Sequence, residues 1–383
     1  MRTAKLKDIT LTITDGKHGD CKNHDGSGYY FISCKDVYDE TIHYENARQI
    51  TEDDFRDADR RTNLAAYDIL ITNSGTIGRM ALVKDIPETR KTTFQKSVAI
   101  VRADTSQVVP NYLYYLLKSK VHDFINSSNG SAQKNLLLST MRDFDISFVD
   151  SFETQHRIAS ILSRYDSLIE NYQKQIKLLE EAAQRLYKEW FVDFPFPGHE
   201  TTKIVYGVPE GWTPSQLGQL AEFKRGKTIT KKDVIDGDIP VVAGGLEPAY
   251  YCNKSNTAER VITISGSGAN AGFTRMYFEK VWASDCSFVD ASVTPFLHFV
   301  YCYLKDNKTT IDNMQKGAAQ PHVYAKDINS LSICIPIESV LKSFEEKVSN
   351  YFDTTASLQS QLRLLTEARD RLLPKLTNGE MEI

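Results

Sequence analysis

The chain contains the same long segment twice, and this repeat constrains its fold more than any other feature of the sequence. Residues 178–186 are LLEEAAQRL and residues 364–372 are LLTEARDRL, which is an offset of 186 positions. Around each copy, apolar side chains recur every seven residues, at Ile158, Tyr165, Tyr172, Leu179 and Leu186 and again at Phe344, Tyr351, Leu358, Leu365 and Leu372. An internal repeat of this length indicates two halves with the same architecture.

A second seam lies four positions after the first in each copy. Its members are Leu162, Ile169, Ile176, Ala183 and Trp190 in the first copy and Val348, Thr355, Leu362, Arg369 and Leu376 in the second. Two apolar positions per heptad over about five heptads predict a long helix with a coiled-coil stripe. Thr355 and Arg369 predict an imperfect, partly polar seam. The alternatives are an amphipathic helix that packs on its own domain and a face that a partner subunit uses.

The rest of the chain predicts two mixed domains that alternate with these helices. Proline and glycine in residues 193–198 end the first helix, and Pro374 should kink or terminate the second. Weaker repeats relate residues 71–78 to 262–268, 130–133 to 317–320 and 142–144 to 326–328. We expect helices that begin at Pro110 and Pro295, and strands at 98–102, 261–265 and 332–335. The predicted fold class is α+β, with segments 1–150, 151–198, 199–337 and 338–383.

This order of segments resembles that of the DNA-sequence specificity subunits of type I restriction-modification systems, across essentially the whole chain. The strongest local likenesses are LLEEAAQRLYKEWF (178–191), PEGW (209–212) followed by Leu217-Gly218, and LTEARDRLLPKLTNGE (365–380). Their order and duplication carry the match, because no single motif is diagnostic alone. The first half departs from the pattern, since it lacks a PEGW-like sequence and begins near Lys5-Leu6.

The resemblance implies that residues 1–150 and 199–337 are target-recognition domains, each of which reads half of a split DNA sequence. It implies that the two long helices pair antiparallel, hold these domains apart and dock partner subunits. The implied partners are double-stranded DNA, two adenine methyltransferase subunits and restriction motor-nuclease subunits. S-adenosylmethionine is expected in the methyltransferase partner, and ATP and Mg in the restriction partner. We therefore expect no cofactor, metal or catalytic residue in this chain.

Bulk properties agree with such a protein but do not identify it. The net charge is −4, and both predicted domains are near neutral, whereas a DNA reader usually presents a basic surface. The charge must then be unevenly distributed, or a partner supplies much of the attraction to phosphate. The six cysteines form no CxxC pair, and no apolar stretch approaches the length of a membrane span. We expect a cytoplasmic protein with reduced thiols and no membrane segment.

The candidate DNA-binding residues lie in a basic loop and in glycine-rich turns. Lysine and arginine suit phosphate contacts, and arginine also reads guanine in the major groove. The basic candidates are Lys17 and His18 in the first half and Lys224, Arg225, Lys227, Lys231 and Lys232 in the second. The turn candidates are Asn73, Ser74 and Thr76 and Ser265, Ser267 and Asn270. The structural alternatives are a solvated basic turn for the first set and tight strand-end turns for the second.

Other chemistry fits the sequence less well. Gly226-Lys227-Thr228 resembles the end of a phosphate loop, but Ala221 occupies the position of the first glycine. His18, Cys21, His24 and Cys34 match no zinc-finger spacing, and Asp53, Asp54, Asp57 and Asp59 are typical of a solvated helix surface. Adenine methyltransferase motifs are missing. The competing functions are a coiled-coil scaffold with two protein-binding heads and a single-chain methyltransferase or nuclease.

Overall fold

The computed structural model describes residues 1–126, 135–317, 321–381 and 383. Contacts divide the chain into two units. Unit 1 consists of Met1–Glu170 and Arg363–Ile383, and unit 2 consists of Asn171–Leu362. Each unit therefore includes part of both long helices, whereas the sequence division places those helices in segments of their own. The four-segment division stays a prediction.

Unit 1 begins with an α+β domain, in whose described residues ten strands and four helices are present. The strands are β1 (Arg2–Lys5), β2 (Thr10–Asp15), β3 (Tyr30–Ile32), β4 (Val37–Tyr38), β5 (Thr41–Ile42), β6 (Ile69–Thr72), β7 (Met80–Leu82), β8 (Thr92–Phe94), β9 (Val98–Ala103) and β10 (Asp145–Phe148). The helices are α1 (Glu52–Thr62), α2 (Pro110–Ser119), α3 (Val121–Asn126) and α4 (Leu138–Arg142).

The central sheet of unit 1 has the strand order β2-β9-β6-β7, with every neighbouring pair antiparallel. Three further pairs lie among the described residues of unit 1: antiparallel β1-β10 and β4-β5, and parallel β3-β8. The first helix of the long repeat, α5 (Phe152–Phe191), follows β10. Helix α2 lies in the main apolar core, where Tyr112, Leu113 and Leu116 pack with Ile69 and Val101 of the sheet. Apolar burial of this kind is the main force that holds the helix on the sheet.

Unit 2 contains a second α+β domain, which ends at the second long helix. Its strands are β11 (Ile204–Val205), β12 (Val208–Pro209), β13 (Thr213–Gln216), β14 (Lys224–Arg225), β15 (Ile239–Val242), β16 (Tyr250–Cys252), β17 (Val261–Ser265), β18 (Thr274–Tyr277), β19 (Trp282–Ala283), β20 (Cys286–Asp290) and β21 (Ser332–Ile335). Its helices are α6 (Leu217–Leu220), α7 (Leu297–Asp306), α8 (Lys308–Asn313), α9 (Ala325–Asn329) and α10 (Glu338–Thr377).

The second domain repeats the topology of the first. Its central sheet has the order β14-β20-β17-β18, again with antiparallel neighbours. The β13-β21 pair corresponds to β1-β10, and the parallel β15-β19 contact corresponds to β3-β8. Helices α7, α8 and α9 follow the sheet in the same order as α2, α3 and α4. The α+β fold class and the internal repeat predicted from the sequence are confirmed.

The two long helices pair antiparallel inside each unit. In unit 1, Ile158 and Leu162 near the start of α5 share a core with Leu373 and Leu376 near the end of α10. In unit 2, the end of α5 packs on the start of α10, with the Trp190 and Phe344 ring centroids 5.9 Å apart. In the second predicted seam every side chain is buried except Ile176 and Leu362, which are partly exposed, and in the first seam Ile158, Phe344 and Leu358 are buried. The remaining first-seam side chains, Tyr165, Tyr172, Leu179, Leu186, Tyr351, Leu365 and Leu372, are partly exposed.

A cluster of charges around the buried Arg369 makes the seam of unit 1 polar. The Arg369 guanidinium lies 2.8 Å from both Asp166 and Glu40, with its side chain only 9% exposed. Tyr115 donates a 2.5 Å hydrogen bond to Asp166, and Lys118 pairs with Glu40 at 2.6 Å. Burial lowers the pKa of Arg369, but its attraction to Glu40 and its hydrogen bond to Asp166 outweigh this and raise the pKa above its usual value. The predicted polar character of the seam is confirmed here.

Local predictions are met at most positions, with two differences. The predicted strands at 98–102, 261–265 and 332–335 match β9, β17 and β21, and α2 begins at Pro110. Helix α7 begins at Leu297, two residues after Pro295, because Phe296 has non-helical backbone angles. Helix α10 continues through Pro374 to Thr377, so the proline lies in the last turn and does not end the helix there. The repeat of 130–133 in 317–320 lies largely outside the described residues.

Candidate nucleic-acid interface

Most of the candidate residues of unit 1 lie at one end of its central sheet. Strand β2 ends at Asp15, β6 ends at Thr72, and β9 begins at Val98, which is paired with Thr72. Lys17 and His18 follow the first of these strand ends, and Asn73, Ser74 and Thr76 follow the second. Antiparallel pairing therefore brings together two groups that are more than fifty residues apart in the chain.

The same end of the sheet in unit 2 gathers the second set. Strand β14 ends at Arg225, β17 ends at Ser265, and β20 begins at Cys286, which is paired with Ser265. Lys224, Arg225 and Lys227 lie at the first strand end, and Ser265, Ser267 and Asn270 at the second. Lys231 and Lys232 lie further along, in a short 3₁₀ turn. The fold thus gives each unit a surface of its own, formed by these two strand ends, which we call the sheet-end site.

A Gly-Lys pair leaves the sheet at equivalent positions in the two sites. Gly16 donates its N–H to Val98 and Gly226 donates to Cys286, and each carbonyl acceptor begins the neighbouring strand. A Cβ at Gly16 would lie 2.1 Å from the Phe94 carbonyl oxygen, and one at Gly226 would lie 2.4 Å from that of Ser284. Only glycine permits so close an approach of two backbones. These glycines fix the exit direction of the chain that carries Lys17 and Lys227.

The glycine-rich turn is the second shared part of the site. It closes with a hydrogen bond from Gly78 to Thr72 in unit 1 and from Gly272 to Ser265 in unit 2, each 2.9 Å long. Both glycines have positive φ, +88° and +86°, which a residue with a side chain rarely adopts. A later segment crosses each turn through an isolated bridge, Ser74 with Asn135 in unit 1 and Ser267 with His322 in unit 2.

The two basic candidates of unit 1 are already engaged with carboxylates. Lys17 Nζ lies 3.0 Å from Asp57 and 3.7 Å from Asp54, which are both on α1. The hydrogen bond to Asp57 raises the pKa of Lys17, so this side chain stays charged. His18 Nε2 lies 2.9 Å from Asp15, whose carboxylate also pairs with Arg61. A phosphate must compete with these partners for Lys17.

The turn candidates of unit 1 differ in exposure. Asn73 is 4% exposed, and its Oδ1 atom is buried without a partner among the residues that the structure describes. Ser74 is partly exposed, and Thr76 is exposed at the tip of the turn. The burial of Asn73 favours the strand-end-turn interpretation for that residue. Thr76 is the most exposed of the three turn candidates of unit 1.

The basic loop of unit 2 is exposed in full. Lys224, Arg225, Lys227, Lys231 and Lys232 are all exposed, and none of their side chains forms an ion pair with a described residue. The backbone beneath them is held firmly, because Lys227 donates to Ala283 at 2.9 Å and Trp282 Nε1 donates to the Lys227 carbonyl at 2.7 Å. A fixed backbone with unpaired cationic side chains suits an anionic ligand such as DNA phosphate.

The turn candidates of unit 2 mainly hold the site together. Ser265 is 3% exposed and donates to the Gly244 carbonyl at 3.1 Å. Asn270 donates to the same carbonyl at 3.4 Å. Ser267 donates to the Asp285 carboxylate, which borders the turn. These bonds favour the structural interpretation for Ser265, while the DNA-contact assignments of all the candidates stay predictions.

The sequence analysis missed an aromatic and basic group beside the unit 2 site. His322 and Tyr324 stack with ring centroids 5.9 Å apart, and Lys316 and Lys326 lie within 6.0 Å of the Tyr324 ring centre. Tyr324 is 39% exposed. Arg225, Asp285, His322 and Tyr324 line one cleft at the end of the sheet. The one sequence signal for this group was the repeat at 317–320, since the segment after it crosses the turn in both units.

The histidine, cysteine and aspartate residues that were considered as a metal or nuclease site have other roles in the fold. Cys21 is buried in a small apolar core with Phe31, Ile50 and Phe55. Asp54 accepts the Lys22 N–H at 2.8 Å and the Thr51 hydroxyl at 3.0 Å at the start of α1. In the described parts of the chain, no group of three or more histidine, cysteine or acidic residues is arranged to hold a metal ion. None of the described helices combines the length and apolar character that a bilayer crossing requires.

Comparison with known proteins gives a consistent result. The family model described as "Type I restriction modification DNA specificity domain" matches residues 3–181 and 209–365, once in each half. A type I restriction enzyme specificity subunit of Methanocaldococcus jannaschii, MjaIX, is 29% identical over 94% of this chain and 89% of its own length. A putative type I specificity subunit of Mycoplasma pneumoniae is 24% identical over 74% of this chain and 76% of its own.

A solved structure supports the fold at the level of the whole chain. The crystal structure of the S subunit of a type I restriction-modification system from M. genitalium matches with a TM-score of 0.60. The match covers 98% of this chain and 96% of that one, at 18% sequence identity.

Proposed function

Because the chain belongs to the type I restriction-modification DNA specificity family, it is a DNA-sequence specificity subunit, and we propose that it reads a two-part target with one half per unit. The observation that carries the proposal is the repeated sheet-end site. In each unit, a Gly-Lys exit, a glycine-rich turn and a crossing segment meet at the equivalent end of that unit's own four-stranded sheet. A protein with two equivalent sites suits a target with two half-sites.

The side chains at the two sites differ, which supports different half-sites. Arg225 of unit 2 occupies the sheet position that Asp15 occupies in unit 1, since each is paired one residue inside the start of the next strand. Asp15 is buried and bonded to Arg61 and His18, whereas Arg225 is exposed. Base edges in the major groove differ in their donors and acceptors. An exposed guanidinium in unit 2, where unit 1 has a buried and bonded carboxylate, should therefore give the two half-sites different base preferences.

In the mechanism that we propose, the chain binds and orients DNA but does not react with it. Exposed lysines at the sheet-end site contact phosphate and set the register of the duplex, while side chains in the cleft contact base edges. Affinity from phosphate contacts depends on salt because binding releases counterions. With a net charge of −4, the chain provides only local positive patches, so partner subunits contribute part of the phosphate attraction.

The partners in this proposal are two adenine methyltransferase subunits and restriction motor-nuclease subunits, in a cytoplasmic complex. The methyltransferase binds S-adenosylmethionine and the restriction subunit uses ATP and Mg, so this chain needs neither. The names of its relatives support a specificity role, which directs the chemistry of other subunits. Exposed faces of α5 and α10 outside the antiparallel seam, for example around Leu178 and Leu364, are available for docking.

Mapping of methylated adenines tests this proposal in cells with the gene, without it, and with the gene restored. We expect one two-part methylated sequence that disappears on deletion and returns on complementation. The purified chain should show no methyl transfer of its own. Loss of the gene with no change in the methylated sequences contradicts the proposal and favours a coiled-coil scaffold that binds proteins through its two heads.

A further inference from the structure

The cleft of the unit 2 sheet-end site holds one arginine with an unusual combination of properties. Arg225 is exposed, and its side chain has no hydrogen bond or ion pair with any described residue. It nevertheless lines a cleft together with Asp285, His322 and Tyr324. An unpaired arginine that shares a cleft with a carboxylate and two aromatic residues, in a DNA specificity subunit, calls for an external partner.

The backbone of Arg225 is fixed although its side chain is free. Its strand is paired with β20 so that Arg225 lies opposite Ser287. The next residue, Gly226, donates to Cys286 at 2.8 Å and has no room for a Cβ beside Ser284. The sheet therefore sets the point from which the guanidinium projects. Recognition sites built on rigid elements hold their geometry better than sites on free loops.

The chemistry of the cleft matches one base pair better than the others. A guanidinium donates two parallel hydrogen bonds, and guanine offers the matching O6 and N7 acceptors in the major groove. Asp285 supplies an acceptor in the same cleft, and its carboxylate keeps spare capacity because Ser267 occupies only one of its sites. Cytosine presents an amino donor on the same groove edge. The donor fork and the acceptor together complement a G·C pair.

We propose that Arg225 is a specificity-determining residue that reads the guanine of a G·C pair in the half-site bound by unit 2. This inference rests on the proposed function and deepens it. Asp285 is the acceptor for the paired cytosine, and Ser267 holds the Asp285 carboxylate in place. Unit 1 has Asp15 at the equivalent position, already bonded to Arg61 and His18. The guanine contact therefore belongs to one half-site only.

Three variants of the full chain, expressed with its native partners, test the inference. R225K keeps the positive charge but loses the guanidinium fork, and R225A loses both. K280A is the matched control, because Lys280 is also exposed and lies in the turn after β18, beyond the opposite end of the same sheet. The readouts are the methylated sequences in cells and the affinity of the purified chain for duplexes that carry each base pair at the affected position.

In R225K we expect one guanine in one half-site to become degenerate, while the other half-site stays unchanged. Discrimination against a substituted base pair should fall by roughly 5- to 150-fold, which corresponds to the usual range of about 1–3 kcal/mol for a bidentate contact. R225A should lose the same discrimination and also some affinity for every sequence. K280A should keep the wild-type sequence preference.

Two results would overturn the inference. If R225K keeps the full guanine preference, Arg225 does not read a base. If R225A weakens binding equally for all sequences and lowers the salt dependence, Arg225 contacts phosphate only. Failure of the proposed function itself is separate from both, because the wild-type chain would then direct no sequence-dependent methylation. Arg225 is exposed, so thermal unfolding of the variants should match that of the wild type and exclude a folding defect.

Discussion

The buried charges of the unit 1 seam give the sharpest test of how the long helices are held. The repeat aligns Arg369 with Ala183 and Asp166 with Phe352, both of which are buried and apolar in unit 2. One unit therefore uses charges where the other uses apolar packing. Arg369→Ala places in unit 1 the alanine that unit 2 has at Ala183, while the acidic neighbours of Arg369 remain.

The size of the effect follows from what the guanidinium leaves behind. Removal of one partner of a buried ion pair costs about 3–5 kcal/mol, because the other charge stays buried and unpaired. Asp166 would keep its hydrogen bond from Tyr115, Glu40 would keep Lys118, and both carboxylates are partly exposed to water. We therefore expect a loss near the lower limit, about 3 kcal/mol. For a unit of roughly 190 residues, this corresponds to a fall in Tm of about 6–12 °C.

Differential scanning calorimetry of the full chain measures this shift, and fluorescence separates the units, because all three tryptophans, Trp190, Trp212 and Trp282, lie in unit 2. The control is the double variant Arg369→Ala with Asp166→Phe, which gives both positions the residues of the repeat. It should recover part of the lost stability, since apolar residues often replace a buried ion pair without loss. If the Tm of Arg369→Ala fell by less than about 2 °C, the reasoning would be refuted.

Three further predictions concern the sheet-end sites and one buried thiol. Triple substitution of Lys224, Arg225 and Lys227 with alanine should lower the salt dependence of DNA binding by about 0.9 in logarithmic slope per lost phosphate contact, and Lys17→Ala should change it less because that lysine is paired. Equal slopes for the wild type and the triple variant would show that these side chains make no phosphate contact. Gly16→Ala should lower the free energy of unfolding by at least about 1–3 kcal/mol, whereas Gly19→Ala should be close to neutral because its Cβ would meet nothing nearer than 4.0 Å. Similar stabilities of the two variants would contradict the close-approach argument. Burial raises the pKa of Cys286 from 9.0 to about 12. The contribution of this buried thiol to stability is therefore complete below pH 9 and is lost as the pH rises toward 12. If iodoacetamide at pH 8 alkylated Cys286 in the folded chain as fast as in the unfolded chain, the prediction would be contradicted.

The sequence predicted those parts of the fold that local patterns determine. Heptad spacing with Pro/Gly stops placed both long helices, which run from Phe152 to Phe191 and from Glu338 to Thr377. The strands predicted at 98–102, 261–265 and 332–335 match β9, β17 and β21. The repeat then predicted that the two halves share one architecture. Helix α7 starts two residues after Pro295 because Phe296 has non-helical backbone angles. A proline near the start of a helix therefore does not by itself define the first helical residue.

Contacts between distant segments could not be predicted in the same way. The equivalence of Gly16 with Gly226 has an offset of 210 positions, whereas the sequence repeats elsewhere have offsets of 184 to 191. Insertions between the strands shift the register, so only the sheet pairing reveals the match. The ion pair between Lys17 and Asp57 is likewise decided by the packing of α1 on the sheet. Tyr324 was missed because its place beside Arg225 depends on a segment that returns a hundred residues later.

The most direct test of the central claim is replacement of one recognition domain. Residues 207–337 would be exchanged for the corresponding segment of another family member with a known target, and methylated adenines would be mapped in cells that carry the hybrid chain. If each unit reads one half-site, one half of the methylated sequence changes to that of the donor and the other half stays the same. A hybrid that methylates DNA but changes both halves, or neither, would contradict the account.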